Sequence, residues 1–359
     1  MALAMPVVWS DHHRLHDPGG EIWVGVRTPA SELPERAERI REALAAAGAG
    51  FVEAQTQPDD GALGIHDPDL VAYLARAWED WDAAGLPVDP GQDRVVPYLF
   101  AHPGLFAEDQ APATATAVTA RAGQFAYDTM TLIGPGTWEA ARAAVDVAVT
   151  AADLVLAGAP AAYACCRPPG HHVTRNCFGG SCYLNNSAAA AARLRQALGV
   201  PVAVVDVDAH HGNGTQAIFY EDSEVLVGSV HVDPGAGWFP HFLGFEGEDG
   251  RGAGAGANRN VALAPGSGDE AWVEAVGGLA AWARAGGAQA LVVALGVDAA
   301  AGDPESPLDV TPAGFRAAGR ALGALGLPTV VVQEGGYDLT TIGDLVHEAL
   351  AGIEEGAHA

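Results

Sequence analysis

Asp208 and His210 stand two positions apart in the run Asp206-Val207-Asp208-Ala209-His210-His211-Gly212-Asn213-Gly214. An apolar stretch over 200–206 comes just before them and predicts a strand. Alternation along a strand would put residues i and i+2 on one side. A carboxylate and an imidazole so placed are two ligands for a metal ion. Asp298 follows the apolar run 290–297 and would supply a third from a neighbouring strand. Three N/O ligands with a fourth position open to water is the layout of a catalytic zinc. A structural hydrogen bond would account for Asp208 and His210 alone. It would not account for what stands at the other strand ends.

In an open α/β sheet, ligands bind beyond the carboxyl ends of the strands. The predicted strand 161–166 leads into Arg167-Pro168-Pro169-Gly170-His171-His172, and 224–231 ends in Ser229-Val230-His231. The strand 329–333 leads into Glu334-Gly335-Gly336-Tyr337. Five strands thus carry ligand or acid/base side chains at the same edge. His171 and His172, fixed by the prolines and glycine before them, offer a base and an electrostatic partner beside a metal-bound water. Asp206 and Asn213 are available to orient them. The pair His12-His13 lacks such a setting and is expected at the surface or a rim. Cys182 could act as a nucleophile beside His171 or His172, but the nearby carboxylates disfavour a thiolate.

Positioning these groups requires alternating strands and helices. Further strands are expected over 5–9, 51–55 and 260–263. Helices are expected over 32–47, 66–84, 136–157, 185–198, 269–285, 312–325 and 341–353, the first with Ser31 in the cap position. The near-continuous apolar runs at 200–206, 290–297 and 329–333 predict central strands buried on both faces. The pattern is that of a parallel, doubly wound α/β sheet in a single domain, 1–359. Between 86 and 136 the periodicity fails, as in an insertion or lid.

Composition narrows the function classes. With 18 Lys+Arg against 45 Asp+Glu, the charge is 18 − 45 = −27, which repels phosphate backbones and argues against nucleic acid. An apolar fraction of 49% with 18% charged residues is ample for a core. Cys165, Cys166, Cys177 and Cys182 are too few for a disulfide framework and point to a reducing compartment. The first ten residues are too short and too lightly charged for a signal peptide. No apolar run is long enough to span a membrane. A cytoplasmic protein is expected. The chain holds no P-loop, no G-x-S-x-G elbow, and no dinucleotide fingerprint among the glycines of 250–256.

The motifs at 167–172, Gly179-Gly180-Ser181-Cys182-Tyr183-Leu184-Asn185-Asn186, 206–214, 298–304 and 334–337 resemble the histone deacetylase superfamily. Within it, the sequence is most similar to the bacterial acetylpolyamine amidohydrolases. Similarity extends to Pro135-Gly136-Thr137-Trp138-Glu139-Ala140 and Phe239-Pro240-His241-Phe242-Leu243-Gly244, and weakens between 86 and 130. The resemblance implies the three-layer α/β/α arginase–deacetylase fold with a central parallel sheet. It also implies zinc, one per chain, on Asp208, His210 and Asp298. It makes His172 the general base and acid, partnered by Asn213. His171 with Asp206 becomes the electrostatic histidine, and Tyr337 the group that polarises the substrate carbonyl. The Gly180 carbonyl would accept the substrate amide N–H. Asp206 and Ser229, with the carbonyls of Asp208, His210 and Val230, would hold a structural potassium ion.

Departures from the family pattern bear on specificity. Gly212 and Gly296 stand where two-metal relatives place aspartates, so a single metal is expected. Ser181 replaces the aromatic that walls the acyl tunnel, which should widen it. Ala122 precedes Gly123-Gln124 where polyamine enzymes carry an acid. Glu305 lies where one polyamine-selective type carries a gatekeeper glutamate. The expected activity is hydrolysis of a small acylated amine, with a homodimer contact through 86–130. The other readings are a protein acetyl-lysine deacetylase and a non-catalytic acyl-amine binder.

Overall fold

In the computed structural model, which describes residues 3–86, 93–107, 110 and 113–359, short runs rich in Val and Ala form the strands. These are β1 (Val7–Trp9), β2 (Glu21–Trp23), β3 (Val26–Thr28), β4 (Phe51–Glu53), β5 (Ala161–Ala164), β6 (Val202–Asp206), β7 (Val225–Val232), β8 (Asn258–Leu263), β9 (Ala290–Leu295) and β10 (Thr329–Gln333). Helices are α1 (Pro34–Ala46), α2 (Asp59–Ala62), α3 (Pro68–Leu74), α4 (Ala77–Ala83), α5 (Val118–Phe125), α6 (Thr137–Leu156), α7 (Asn186–Leu198), α8 (Asn213–Phe219), α9 (Asp269–Ala285), α10 (Pro312–Gly323) and α11 (Ile342–Ala357).

Eight strands pair in parallel in the order β4-β1-β5-β10-β9-β6-β7-β8. The period of two along each strand divides the core into two layers. Val202 and Val204 pack with Ala148 and Leu194 of α6 and α7. Ala203 and Val205 pack on the other face with Trp272 and Leu279 of α9. Each buried aliphatic side chain contributes roughly 1.5–3 kcal/mol, so neither face can be left open. That is why the central strands read as unbroken apolar runs.

The sheet order has a consequence for chemistry. β5, β10, β9, β6 and β7 are contiguous, and they are the five strands whose ends carry the motifs. Those motifs are scattered over more than 170 residues of sequence but meet along one sheet edge.

Several local expectations are corrected. The predicted helix 66–84 divides into α3 and α4, and both halves bury into a third core cluster through Leu70, Tyr73, Ala77 and Trp81. Ser31 does not cap α1, which starts at Pro34 after Leu33 with no side-chain cap; Ser31 Oγ instead donates to Glu305 Oε1 at 2.5 Å. His13 is buried rather than at a rim, with its ring on Glu38 and its carbonyl accepting from Arg167. The β2–β3 hairpin and α8 lie where no element was expected, being too short to show a period. The segment 86–130 is described only in part, since 87–92, 108–109 and 111–112 fall outside the described residues. Within it, α5 is regular. Among the described residues no helix is long and apolar enough to cross a membrane.

Candidate active site

Asp208 and His210 lie just beyond β6 in a bend, not on the strand. Their placement therefore owes nothing to the pleat; hydrogen bonds set it. Asp208 Oδ2 accepts from Gly335 N at 2.7 Å, and Asp298 Oδ1 accepts from Ala209 N at 2.8 Å. Asp298 thus spends one oxygen on backbone and turns the other toward His210, while Asp208 Oδ1 faces the His210 ring and also accepts from His210 N at 2.8 Å. His210 Nδ1 lies 3.2 Å from Asp208 Oδ1 and 3.0 Å from Asp298 Oδ2. Ligands about 2.0–2.2 Å from a tetrahedral zinc are roughly 3.3–3.6 Å apart, so the spacing suits a small cation. Asp208 and Asp298 are fully buried. Burial and the Asp208 charge push Asp298 up to about 7, a crowding that a bound cation would relieve. These three side chains could hold a metal.

Beside them, at the end of β5, His171 Nδ1 meets Asp206 Oδ2 at 2.9 Å and His172 Nδ1 meets Asn213 Oδ1 at 2.7 Å. The two environments drive the imidazoles apart. Burial would lower His171, but Asp206 and Asp208 outweigh it and raise it to about 10. Burial lowers His172 well below the usual histidine range, and the neighbouring His171 and His210 add to it. The Asn213 oxygen can only accept, so His172 carries its proton on Nδ1 and leaves Nε2 free. His172 is therefore a neutral acceptor next to a charged neighbour. Asn213 comes from the first turn of α8, which anchors it on Gly214 N→His171 O at 2.9 Å.

Tyr337 follows β10 on a loop that is held from below. The Arg36 guanidinium, buried, donates to Gly336 O at 2.5 Å and Glu334 O at 2.6 Å, and lies 4.6 Å from the Tyr337 ring centroid. Burial raises the Tyr337 phenol well above its ordinary value, against the opposing pull of Arg36, so the hydroxyl stays protonated. Glu334, also buried, accepts from Gly170 N, His171 N and Ser187 Oγ, tying the tyrosine loop to the histidine loop.

His172, His210, Tyr337, Gly180 and Ser181 share a pocket of about 390 Å³ with Glu21, Trp23, Trp238, Phe239 and Glu305. Every expected catalytic or metal-ligating side chain is thus near this pocket or directly behind it. Ser229 is the Cα neighbour of Asp206 across β6 and β7, with its hydroxyl 2.8 Å from His231 Nδ1. Cys182 is buried, and burial pushes its thiol well above the usual range, which ends the thiolate alternative.

The model of the histone deacetylase domain matches residues 30–353. The chain belongs to the histone deacetylase family. It is 39% identical over 350 residues to an acetylpolyamine amidohydrolase of Mycoplana ramosa, covering 97% of this chain and 99% of that one. It is 37% identical over 358 residues to acetylpolyamine amidohydrolase 2 of Pseudomonas aeruginosa, covering 99% and 100%. The structure superposes on an acetylpolyamine aminohydrolase from Burkholderia pseudomallei with a TM-score of 0.92 at 36% identity, over 98% of this chain and 99% of the other. The arginase–deacetylase fold follows, and with it an enzyme that hydrolyses amides.

Two glycines pack tightly against the carboxylates of this region. A Cβ at Gly296 would stand 2.0 Å from Asp208 Oδ2, and one at Gly212 would stand 2.1 Å from Asp206 Oδ2. A side chain at Gly296 would therefore disturb the Asp208 carboxylate, and one at Gly212 the pairing of Asp206 with His171. The sequence motifs missed the aromatic wall. Phe239 sets its ring 4.9 Å from that of His172 at 85°, and stacks on Tyr127 at 6.4 Å. Its motif was visible, but nothing local to it indicated that the loop after β7 folds back over the histidines. Glu248 holds that loop by accepting from Gly244 N, Phe245 N and Gln216 Nε2.

Proposed function

We propose that this chain is a zinc-dependent amidohydrolase that removes an acyl group, acetyl foremost, from a small acylated amine such as an acetylpolyamine. One observation carries the proposal. A single pocket joins a reaction centre of His172, His210 and Tyr337 to two carboxylates, Glu21 and Glu305. An acyl carbonyl suits the first end and a cationic amine the second. The names of the relatives agree with it.

The geometry and the family resemblance together support the following roles. Asp208, His210 and Asp298 would hold the zinc, which when bound supplies Lewis-acid polarisation of the carbonyl and a more acidic water. His172 Nε2 takes the proton of the attacking water, with Asn213 holding the ring by Nδ1. The Tyr337 hydroxyl donates to the oxygen that gains negative charge. His171, kept cationic by Asp206, adds a fixed positive charge nearby. Protonated His172 then gives its proton to the departing amine, leaving carboxylate and free amine. The Gly180 carbonyl receives the substrate N–H. Potassium at Asp206 and Ser229 belongs to the same proposal and rests on the family resemblance. So does pairing of two copies through 86–130, which the exposed Tyr98, Leu99 and Leu105 support. Work in the cytoplasm accords with four free cysteines.

A panel of acetylated polyamines, acetyl-lysine peptides and longer acyl amines tests the substrate class. The expected order puts an acetylated polyamine first in kcat/KM; first place for peptides would make this a protein deacetylase. Glu305→Leu should raise KM for acetylpolyamines by the roughly 0.2–1 kcal/mol typical of exposed ion pairs. The effect should shrink with salt. If uncharged acyl amides respond equally, Glu305 does not read the amine.

Ser181 tests the acyl side. Its N–H is fixed on Thr131 Oγ1 at 2.9 Å, and its short side chain lines the same pocket as Phe239. Ser181→Phe should shift selectivity toward short acyl groups by about 1–3 kcal/mol, the range pocket shape controls. An unchanged acyl-length profile would mean that another residue closes the tunnel.

A further inference from the structure

Asp303 does not line the pocket, yet both ends of the pocket depend on it. Its carboxylate is buried. One oxygen, Oδ2, accepts from Tyr337 N at 2.8 Å and from Asp338 N at 3.2 Å. The other, Oδ1, accepts from Glu305 N at 2.9 Å. Asp303 itself is anchored by donation from its N–H to Ala300 O at 3.1 Å, close behind Asp298. A single rigid group therefore sits between the backbone that carries the tyrosine and the backbone that carries the rim carboxylate.

We propose that Asp303 is the positioning residue that couples the two ends, holding Tyr337 for the carbonyl and Glu305 for the amine at a set separation. The inference rests on the proposed function, since it takes Glu305 to face a cationic amine. Each partner has further ties, and none of them joins one to the other. The tyrosine loop is also held by Arg36, through Gly336 O, Glu334 O and the Tyr337 ring, but Arg36 does not tie it to Glu305. Glu305 is tied by Ser31 through its carboxylate and by Trp238 Nε1 through its carbonyl, at 3.2 Å. Those ties hold it to the hairpin side and to the loop after β7, and not to the tyrosine. Among the described residues, only the Asp303 carboxylate accepts from the backbone of both. A carboxylate suits the task because both of its oxygens accept, whereas an amide accepts with one.

The test compares kcat and KM for a monoacetylated diamine and for the uncharged N-alkylacetamide of equal length. Metal content and thermal unfolding are measured on the same preparations. Asp303→Ala removes both ties. It should lower kcat on both substrates by roughly 10- to 100-fold, as misplacement of a reacting group by about 1 Å does. It should also reduce the preference for the charged substrate by about threefold or more, with metal retained. Asp303→Asn keeps one acceptor. Its oxygen is expected to turn to the two N–H groups of the tyrosine loop, so it should lose less kcat than Asp303→Ala and still lose preference. This second variant carries the comparison if the alanine variant does not fold. A lower unfolding temperature with wild-type kcat and preference would make Asp303 merely structural and overturn the inference. Loss of kcat alone in both variants would overturn it too. Hydrolysis of neither substrate by the wild type would instead overturn the proposed function, before any variant is compared.

Discussion

Asp208→Ala and His210→Ala are each expected to lose bound zinc and turnover together. In the wild type, each inward carboxylate oxygen and His210 Nδ1 lie within 4.8 Å of one another. Removing one leaves two protein ligands, and two hold zinc poorly. The Lewis-acid contribution is worth several kcal/mol, so turnover should fall by about 10³-fold or more. Metal per chain, read by elemental analysis, is the direct measurement. Thermal unfolding supplies a second. A ligand that binds only the folded state stabilises it. A chelator should therefore lower the unfolding temperature of the wild type and leave that of either variant where it was. Stoichiometric zinc in both variants would remove these residues from the metal site.

Tyr337→Phe is expected to keep the metal and lose kcat. The phenol stays protonated because burial raises it well above its ordinary value, so it can donate at any working pH. Its hydrogen bond to the developing oxyanion is made mainly in the transition state. Loss of one such donor costs about 10²–10³ in kcat, or roughly 3–4 kcal/mol, with little change in KM. The ring remains, so the packing of Arg36 against it should survive, and the unfolding temperature should move little. Steady-state kinetics on one acetylated amine decides the matter. A wild-type kcat would take Tyr337 out of the mechanism.

The residues that build this site differ in how visible they are in the sequence. Tyr337 and the two histidines are marked by unusual local chemistry: glycines before a tyrosine, and a rigid proline–glycine turn before paired imidazoles. Arg36 carries no such mark, and Asp303, though inside the 298–304 motif, gives no local sign of the tyrosine loop it holds. Each is one charged residue among many in a chain of net charge −27, and each holds the tyrosine loop from a distant part of the sequence. Arg36 reaches Glu334 O and Gly336 O across about 300 residues. No spacing rule connects them.

The sequence by itself determined the strand–helix alternation, the parallel sheet and which strand ends carry chemistry. Those follow from short-range physics: period-two burial, and the need of apolar runs to be covered on both faces. Only the tertiary structure decided that β5, β10, β9, β6 and β7 are neighbours, and so which ligands meet. It also decided that the bend after β6, rather than the pleat, aims Asp208 and His210, and that Phe239 walls the pocket. These are outcomes of long-range packing and of hydrogen bonds between segments distant in the chain. Pairings of that kind are set by which buried groups must satisfy one another once the sheet has formed, and local residue order does not specify them.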